Sequence, residues 1–224
     1  MSTRAEIEAK VNRPLRGRRL ATTPAEHATA LTDTVQWAIS DLQARLLWPC
    51  METTLSLSAT AGTETVALGA TYRAMRPDRT AEGAVYRLDG VQWVIVPMLY
   101  GHRPVTLSVL RNLYPDPTAQ DTPALCTVYG RTLYLGPCPE ATYSLRVLCY
   151  ARLATLAAAE SNWFTDSLEE AVVHLAAARC FEDLGEEAEA GRRLQIGMAL
   201  AQSAWSEEWR EAHRRVGPRG PRQR

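Results

Sequence analysis

The side chains in this sequence that could carry out chemistry are few and scattered. Glu170 and His174 stand four residues apart, one helical turn, and would offer two ligands from one helix face to a metal ion. Two ligands do not make a site, and the same spacing describes an ordinary pair on a helix surface. The other histidines, His27, His102 and His213, fall in separate segments. Glu182, Asp183, Glu186, Glu187 and Glu189 crowd the turn at Gly185, the kind of density a two-carboxylate hydrolase needs. Acids at the start of a helix beginning at Glu186 are favoured by its dipole without any catalytic role. The sequence contains no G-x-S-x-G elbow, no H-E-x-x-H, no G-x-G-x-x-G and no deaminase-type H-x-E with paired cysteines. The reading is therefore of a protein that is not an enzyme and needs no metal or cofactor.

The cations say more than the histidines. The chain of 224 residues has 25 basic and 25 acidic side chains, and the basic ones are 24 arginines and a single lysine, Lys10. A Walker-type phosphate loop requires a lysine after its glycines, and Schiff-base chemistry requires one in a pocket, so both classes are excluded. With 33 alanines alongside, the arginine excess also fits a GC-rich coding sequence. The net charge of zero is a sum of opposing blocks. Residues 1 to 20 carry a net +4, residues 160 to 189 carry nine acids against Arg179, and residues 210 to 224 carry six arginines against Glu211. Blocks of this kind predict arms that meet something of opposite sign, with solvated faces as the alternative. Arg214, Arg215, Arg219, Arg222 and Arg224 are interleaved with Gly217, Pro218, Gly220 and Pro221, a composition that forms no regular element and suits bidentate pairing with carboxylate or phosphate.

Five cysteines, Cys50, Cys126, Cys138, Cys149 and Cys180, have no C-x-x-C spacing and follow no secretory leader, so reduced core thiols in an intracellular setting are expected. The most apolar stretches, Val91 to Tyr100 and Leu153 to Ala159, are too short to span a bilayer, and no membrane partner is expected.

The elements that position these residues follow from period and punctuation. Residues 22 to 48 predict a helix, with Thr23 as cap, Pro24 at the first position, Glu26 completing a capping box and Leu31, Val35, Ile39, Leu42 and Leu46 in step. A shorter helix over 3 to 12 starts at Thr3 with Glu6, and residues 13 to 21 form a linker. From Thr53 the period changes to two, through Leu55 and Leu57 and then Val66 and Leu68. Asp89-Gly90 predicts a tight hairpin between Val85 to Leu88 and Val91 to Val96, Tyr129-Gly130-Arg131 predicts a second, and Tyr143 to Tyr150 a further strand. Val105 to Leu113 predicts a short helix before Tyr114-Pro115-Asp116-Pro117, and Asp121-Thr122-Pro123 a loop. Asp166 with Glu169 predicts the start of a helix with Leu168, Val172, Leu175 and Ala176 inward, stopping at Leu184-Gly185. A last helix runs from Glu186 to near Gly217-Pro218, with Ala190, Leu194, Gly197, Ala201 and Trp205 in step. The fold class is α+β, an antiparallel bundle of one N-terminal and two C-terminal long helices with an inserted β-rich lobe. Its parts are a basic arm over 1–21, the bundle over 22–50 and 151–213, the insertion over 51–150 and a basic tail over 214–224.

The order of several motifs resembles a known family. Ala44-Arg45-Leu46-Leu47, Met51 to Leu57, Leu107 to Pro115, Tyr129-Gly130-Arg131-Thr132-Leu133-Tyr134-Leu135-Gly136-Pro137, Tyr143 to Val147, Tyr150 to Leu153 and Asn162-Trp163-Phe164 follow one another as in the head-to-tail adaptor (connector) proteins of short-tailed bacteriophages, over roughly residues 25 to 212. That resemblance implies a ring of twelve copies in the virion, assembled in the host cytoplasm, which docks under the portal protein and passes the genomic DNA to tail or nozzle proteins. The basic extension before residue 22 and the tail after 216 depart from it. On this reading Arg214, Arg215, Arg219, Arg222 and Arg224 reach the portal or a neighbouring subunit. Arg13, Arg16, Arg18 and Arg19 make contacts of the N-terminal arm, and loops at Gly62, Asp116 and Asp121 face the tail. The acidic block and the basic arms would meet across a subunit boundary. A nucleic-acid-binding protein using the same arginine tails and a neck protein of another type are the rival readings. The former calls for a recognition helix with several cations on one face, whereas these helices carry mostly alanine and glutamate.

Overall fold

Thr3 and Thr23 begin the first two helices in the same way. In each, the threonine hydroxyl accepts from the backbone N–H three residues on, and the glutamate there, Glu6 or Glu26, accepts from the threonine N–H, so two orphan donors are satisfied reciprocally. They start α1 (Arg4–Asn12) and α2 (Pro24–Arg45). The second helix ends three residues before the expected boundary. Leu46 is already extended, and Pro49 disfavours helical backbone in the residue before it, Trp48. The indole N–H of Trp48 donates to the Leu42 carbonyl at 3.1 Å, which also accepts the Leu46 N–H at 3.2 Å, so the helix end is closed twice on one acceptor. The computed structural model describes residues 2–15, 17–76, 84–100 and 103–214, with side chains through 211.

The period-two region forms β1 (Glu52–Ala59), β2 (Thr65–Ala67), β3 (Tyr72–Met75), β4 (Val85–Asp89), β5 (Gln92–Val96), β6 (Leu99–Tyr100) and β7 (Arg103–Pro104). Helix α3 (Leu107–Leu113), capped by Thr106, follows, and then β8 (Gln120–Asp121), β9 (Leu125–Tyr129), β10 (Thr132–Gly136), β11 (Cys138–Pro139) and β12 (Tyr143–Ala151). The chain closes with α4 (Trp163–Ser167), α5 (Glu169–Asp183) and α6 (Glu187–Arg214). The fold is α+β and divides into two units, Met1–Cys50 with Ala154–Arg224, and Met51–Leu153.

In the β unit, β12 is the central strand, antiparallel to β1 on one side and to β4 and β3 on the other, with β5 beyond β4. A second sheet runs β2-β10-β9. Inward residues of both sheets, among them Ala59, Val66, Val85, Val96, Cys126, Leu133, Leu145, Val147 and Cys149, fill one core. Helix α3 covers a smaller cluster through Leu110, against Val105 and Leu125. Both hairpins turn on a glycine with positive φ, Gly90 at 58° and Gly130 at 62°. In the first, Asp89 pairs with Gln92, so the two-residue turn is Gly90-Val91, one residue later than the Asp89-Gly90 pattern placed it. The expected loop at Asp121 is partly strand, because Gln120 and Asp121 lie parallel to Cys138 and Pro139.

In the helical unit α5 packs on α1, α2 and α6. Ile7, Val11 and Leu15 are fully buried, so residues 4–15 belong to the body of this unit rather than to a free arm. Trp48, Trp163 and Phe164 meet with ring centroids 5.2–5.6 Å apart, two of the three contacts edge-on. The expected cap at Asp166 is displaced. Asn162 caps α4 instead, accepting from the Thr165 N–H at 3.1 Å, while α5 starts at Leu168 with no side-chain cap. Asp166 accepts from the Ser2 backbone N–H at 2.9 Å.

The approach of α6 to α5 depends on small side chains. Ala171, Ala178, Ala190, Gly197 and Ala201 are all buried. A Cβ at Gly197 would lie 2.9 Å from Leu175 Cγ and 3.2 Å from the Ala171 carbonyl oxygen. Alanine would gain about 1 kcal/mol of helix propensity at this position. The overpacking costs more, about 1–3 kcal/mol before that gain is counted, because backbone as well as Leu175 must yield. Gly197→Ala is therefore expected to lower stability or at best leave it unchanged, whereas Gly191→Ala, with open space around its Cβ, is expected to raise it. Urea denaturation of the two variants checks the contrast.

Candidate assembly surfaces

Among the described residues, those that could do chemistry are not brought together into a reacting site. His174 lies between α5 and α6, with a buried Nδ1 that has no hydrogen-bond partner. Burial, and then the Arg193 guanidinium, push its imidazole pKa down, with Glu170 opposing more weakly. A cation beside Glu170 and His174 would face the same arginine. Among the described residues no three His, Cys, Asp or Glu side chains gather closely enough to hold a metal ion. The five cysteines are free thiols, and burial pushes Cys50 up to about 12 and Cys180 to about 11. Among the described residues no helix is long and apolar enough to cross a membrane.

The acidic turn at Gly185 is largely neutralised within the chain. Glu182 and Asp183 pair with Arg179, Glu189 with Arg192 and Arg193, and Glu186 with Arg18. Lys10 likewise pairs with Glu169, which also accepts from the Ser2 hydroxyl. Two contacts between the basic head segment and the acidic block thus close inside one chain, where an inter-subunit contact was expected.

The predicted contact residues are placed as follows. Arg13, in a 3-10 turn, and Arg18 and Arg19 beyond it are exposed, and Arg18 is the partner of Glu186. Arg16, Arg215, Arg219, Arg222 and Arg224 lie outside the described residues, and Arg214 is the last residue of α6, with only its backbone described. Gly62 and Asp121 come together at one corner of the β unit. The Gly62 N–H donates to the Pro139 carbonyl at 2.8 Å, and the Asp121 carbonyl accepts from Glu140 at 3.2 Å, so β11 is gripped from both sides. Asp116 is exposed and folded into its own turn, its Oδ1 accepting from the Thr118 hydroxyl at 2.6 Å and N–H at 2.8 Å. Those bonds hold its carboxyl below the usual carboxylate range.

Three features escaped the sequence reading. The indole N–H groups of Trp205 and Trp209 both donate to the Leu47 carbonyl, at 3.0 and 3.2 Å, tying α6 to the chain just past α2. Both tryptophans sit at helical spacing, but their shared acceptor is visible only in three dimensions. The tips of the β unit are apolar, with Val91 94% and Tyr129 68% exposed in the two hairpin turns. Across the outer face of the larger sheet, the Arg146 guanidinium lies 4.1 Å from the centroid of the Trp93 ring. An open depression of about 550 Å³ beside it is lined by Thr54, Ser56, Tyr86, Trp93, Arg146 and Leu148. Exposed apolar tips and a cationic-aromatic face are features that suit binding to another macromolecule.

A family model described as SU10 adaptor protein matches residues 2–223. No curated protein matches the chain.

The Lys10–Glu169–Ser2 group makes a pH prediction. Hydrogen bonds from Lys10, and then from Ser2, hold the Glu169 carboxyl below its ordinary 4.5. A carboxyl depressed in the folded state contributes stability that is present above pH 4.5 and is lost as the pH falls through the folded value. Both groups are partly exposed, so the contribution is at most about 1 kcal/mol. Glu169→Gln is expected to be less stable than wild type at pH 7 and to show a shallower loss of melting temperature below pH 4.5. Thermal unfolding monitored from pH 7 to pH 3 checks both.

Proposed function

We propose, from the premise that this chain belongs to the SU10 adaptor protein family, that it is a structural virion protein joining the head of a tailed bacteriophage to its tail. It assembles into a ring of twelve copies, docks on the portal protein, engages tail or nozzle proteins and forms part of the passage for genomic DNA. It acts without catalysis, is put together in the host cytoplasm and resides at the head-tail interface. The observation that carries this reading is the family match across residues 2–223, nearly the whole chain.

The architecture supports such a role. A helical unit with a small-residue seam between α5 and α6 supplies a rigid body, in which α2, α5 and α6 are the long helices of the bundle. The inserted β unit projects hairpin tips and a sheet face. The arginine-rich residues 214–224 supply a further means of contact with the portal or a neighbouring subunit, since a guanidinium pairs bidentately with carboxylate. Gly62 and Asp116 lie in turns and Asp121 in the short strand β8, each held by hydrogen bonds, which suits segments that must present a fixed shape to the tail.

Mass measurement of the protein alone and mixed with the portal protein of the same phage tests the reading. A ring, or co-migration with portal rings, is expected. A persistent monomer with no partner in the mixture overturns it, and tight salt-sensitive binding to duplex DNA by that monomer favours the nucleic-acid-binding rival. Deleting residues 217–224 is expected to weaken docking onto portal rings, and unchanged docking removes the tail from the contact.

A further inference from the structure

The outer face of the larger sheet is built unlike a merely solvated one. Strand alternation sends Leu57, Leu145, Val147, Val85 and Val96 to the core, and so sends Ser56, Arg146, Tyr86 and Ile95, paired in one row across four strands, to the opposite face. Thr54 and Leu148 form the next row, and Trp93 lies two residues from Ile95 along β5. A water-facing antiparallel sheet carries mainly polar side chains there. Here four large apolar groups, Tyr86, Trp93, Ile95 and Leu148, are half-buried around the exposed Arg146. The Arg146 guanidinium lies over the indole, 4.1 Å from its centroid, and among the described residues no carboxylate lies within ion-pairing distance of it. Its free edge offers two parallel N–H donors, the arrangement that grips two coplanar oxygens.

We propose that this face is the docking site for an extended segment of a different virion polypeptide, which sets an Asp or Glu carboxylate on Arg146 and apolar side chains over Trp93, Tyr86 and Leu148. The inference rests on the adaptor reading and names the chemistry of one of its partners. Charge complementarity selects the occupant. One cation flanked by hydroxyls and apolar side chains matches a single carboxylate, whereas a nucleic-acid backbone calls for a row of cations. Four acids of this chain's own acidic block, Glu182, Asp183, Glu186 and Glu189, already have arginine partners, so a second copy would have to offer one of its other carboxylates, an outcome the cross-linking test separates. Excluding water from the Arg146–Trp93 pair on docking strengthens both the stack and the ion pair.

The test uses the full-length protein with purified portal and tail proteins, one partner at a time. Arg146→Glu is expected to lose at least about tenfold in affinity for one partner and keep wild-type affinity for the other, with Arg146→Lys intermediate because a point charge lacks the planar fork. Unchanged affinity for both partners overturns the proposal. A wild-type chain that binds neither partner overturns the adaptor reading itself, and the two failures are thereby told apart. Should Arg146→Glu fold poorly, a photo-cross-linking amino acid at the exposed Ser56, with Arg146 intact, gives an independent readout in assembled particles. Adducts on an acid-containing segment of another polypeptide support the proposal. Adducts on a second copy of this chain, adducts on DNA, or no adduct overturn it.

Discussion

The pairing of β1 with β12 is the constraint on which the rest of the molecule depends. Eight consecutive residue pairs, from Glu52↔Tyr150 to Ala59↔Tyr143, hold the entry strand of the β unit against its exit strand. The helical unit is assembled from residues 1–50 and 154–224, so its two halves are joined through about a hundred residues of intervening chain. Closing a flexible loop of that length costs roughly 4 kcal/mol beyond a constant. The ladder removes that cost by delivering the chain back beside the point where it left. It also fixes register: a slip of β12 by one residue against β1 would turn Leu145 and Val147 out of the core and bring Arg146 into it. The apolar inner face therefore determines the composition of the outer one, including the row that carries Arg146.

In the helical unit the corresponding constraint is close approach. The α5–α6 seam is lined by alanine and glycine, which lets the two backbones approach but leaves little apolar volume to bury between them. Bulk is supplied elsewhere, by Ile7, Val11 and Leu15 and by the cluster of Trp48, Trp163 and Phe164. The N-terminal helix thus completes the core. Its capping box signals a helix, but the burial of one face arises from packing against α5 and α2, which local sequence does not encode.

That division describes what was legible in the sequence. The capping boxes at Thr3 and Thr23, the glycine turns of both hairpins and the stop before Gly185 are local signals, and each marks its element to within a residue or two. Strand β3 and the two-residue strands at Leu99, Arg103, Gln120 and Cys138 escaped because they exist through pairing with distant partners and have no alternating pattern of their own. Asp166 was misplaced as a cap because Asn162, four residues earlier, captures the first turn and leaves Asp166 free to accept from Ser2. In the candidate surface, Trp93 and Arg146 are 53 residues apart, and only the β12–β4–β5 register brings them together.

The arginines can now be divided by what they do. Arg18, Arg45, Arg76, Arg87, Arg111, Arg179, Arg192 and Arg193 each form an ion pair within the chain, most of them at partly exposed sites where one such pair is worth little. Their combined effect is to cancel charge locally, and two pairs, Lys10–Glu169 and Arg18–Glu186, join the basic head segment to the acidic block. A contact surface then depends less on the net charge of a segment than on a cation the fold has left without an acid. Among the described residues Arg146 is such a cation, and its guanidinium lies over the Trp93 ring, 4.1 Å from the centroid. Lysine could supply the charge but not two donors in one plane, so the excess of arginine, which fits a GC-rich coding sequence, also fits what this surface requires.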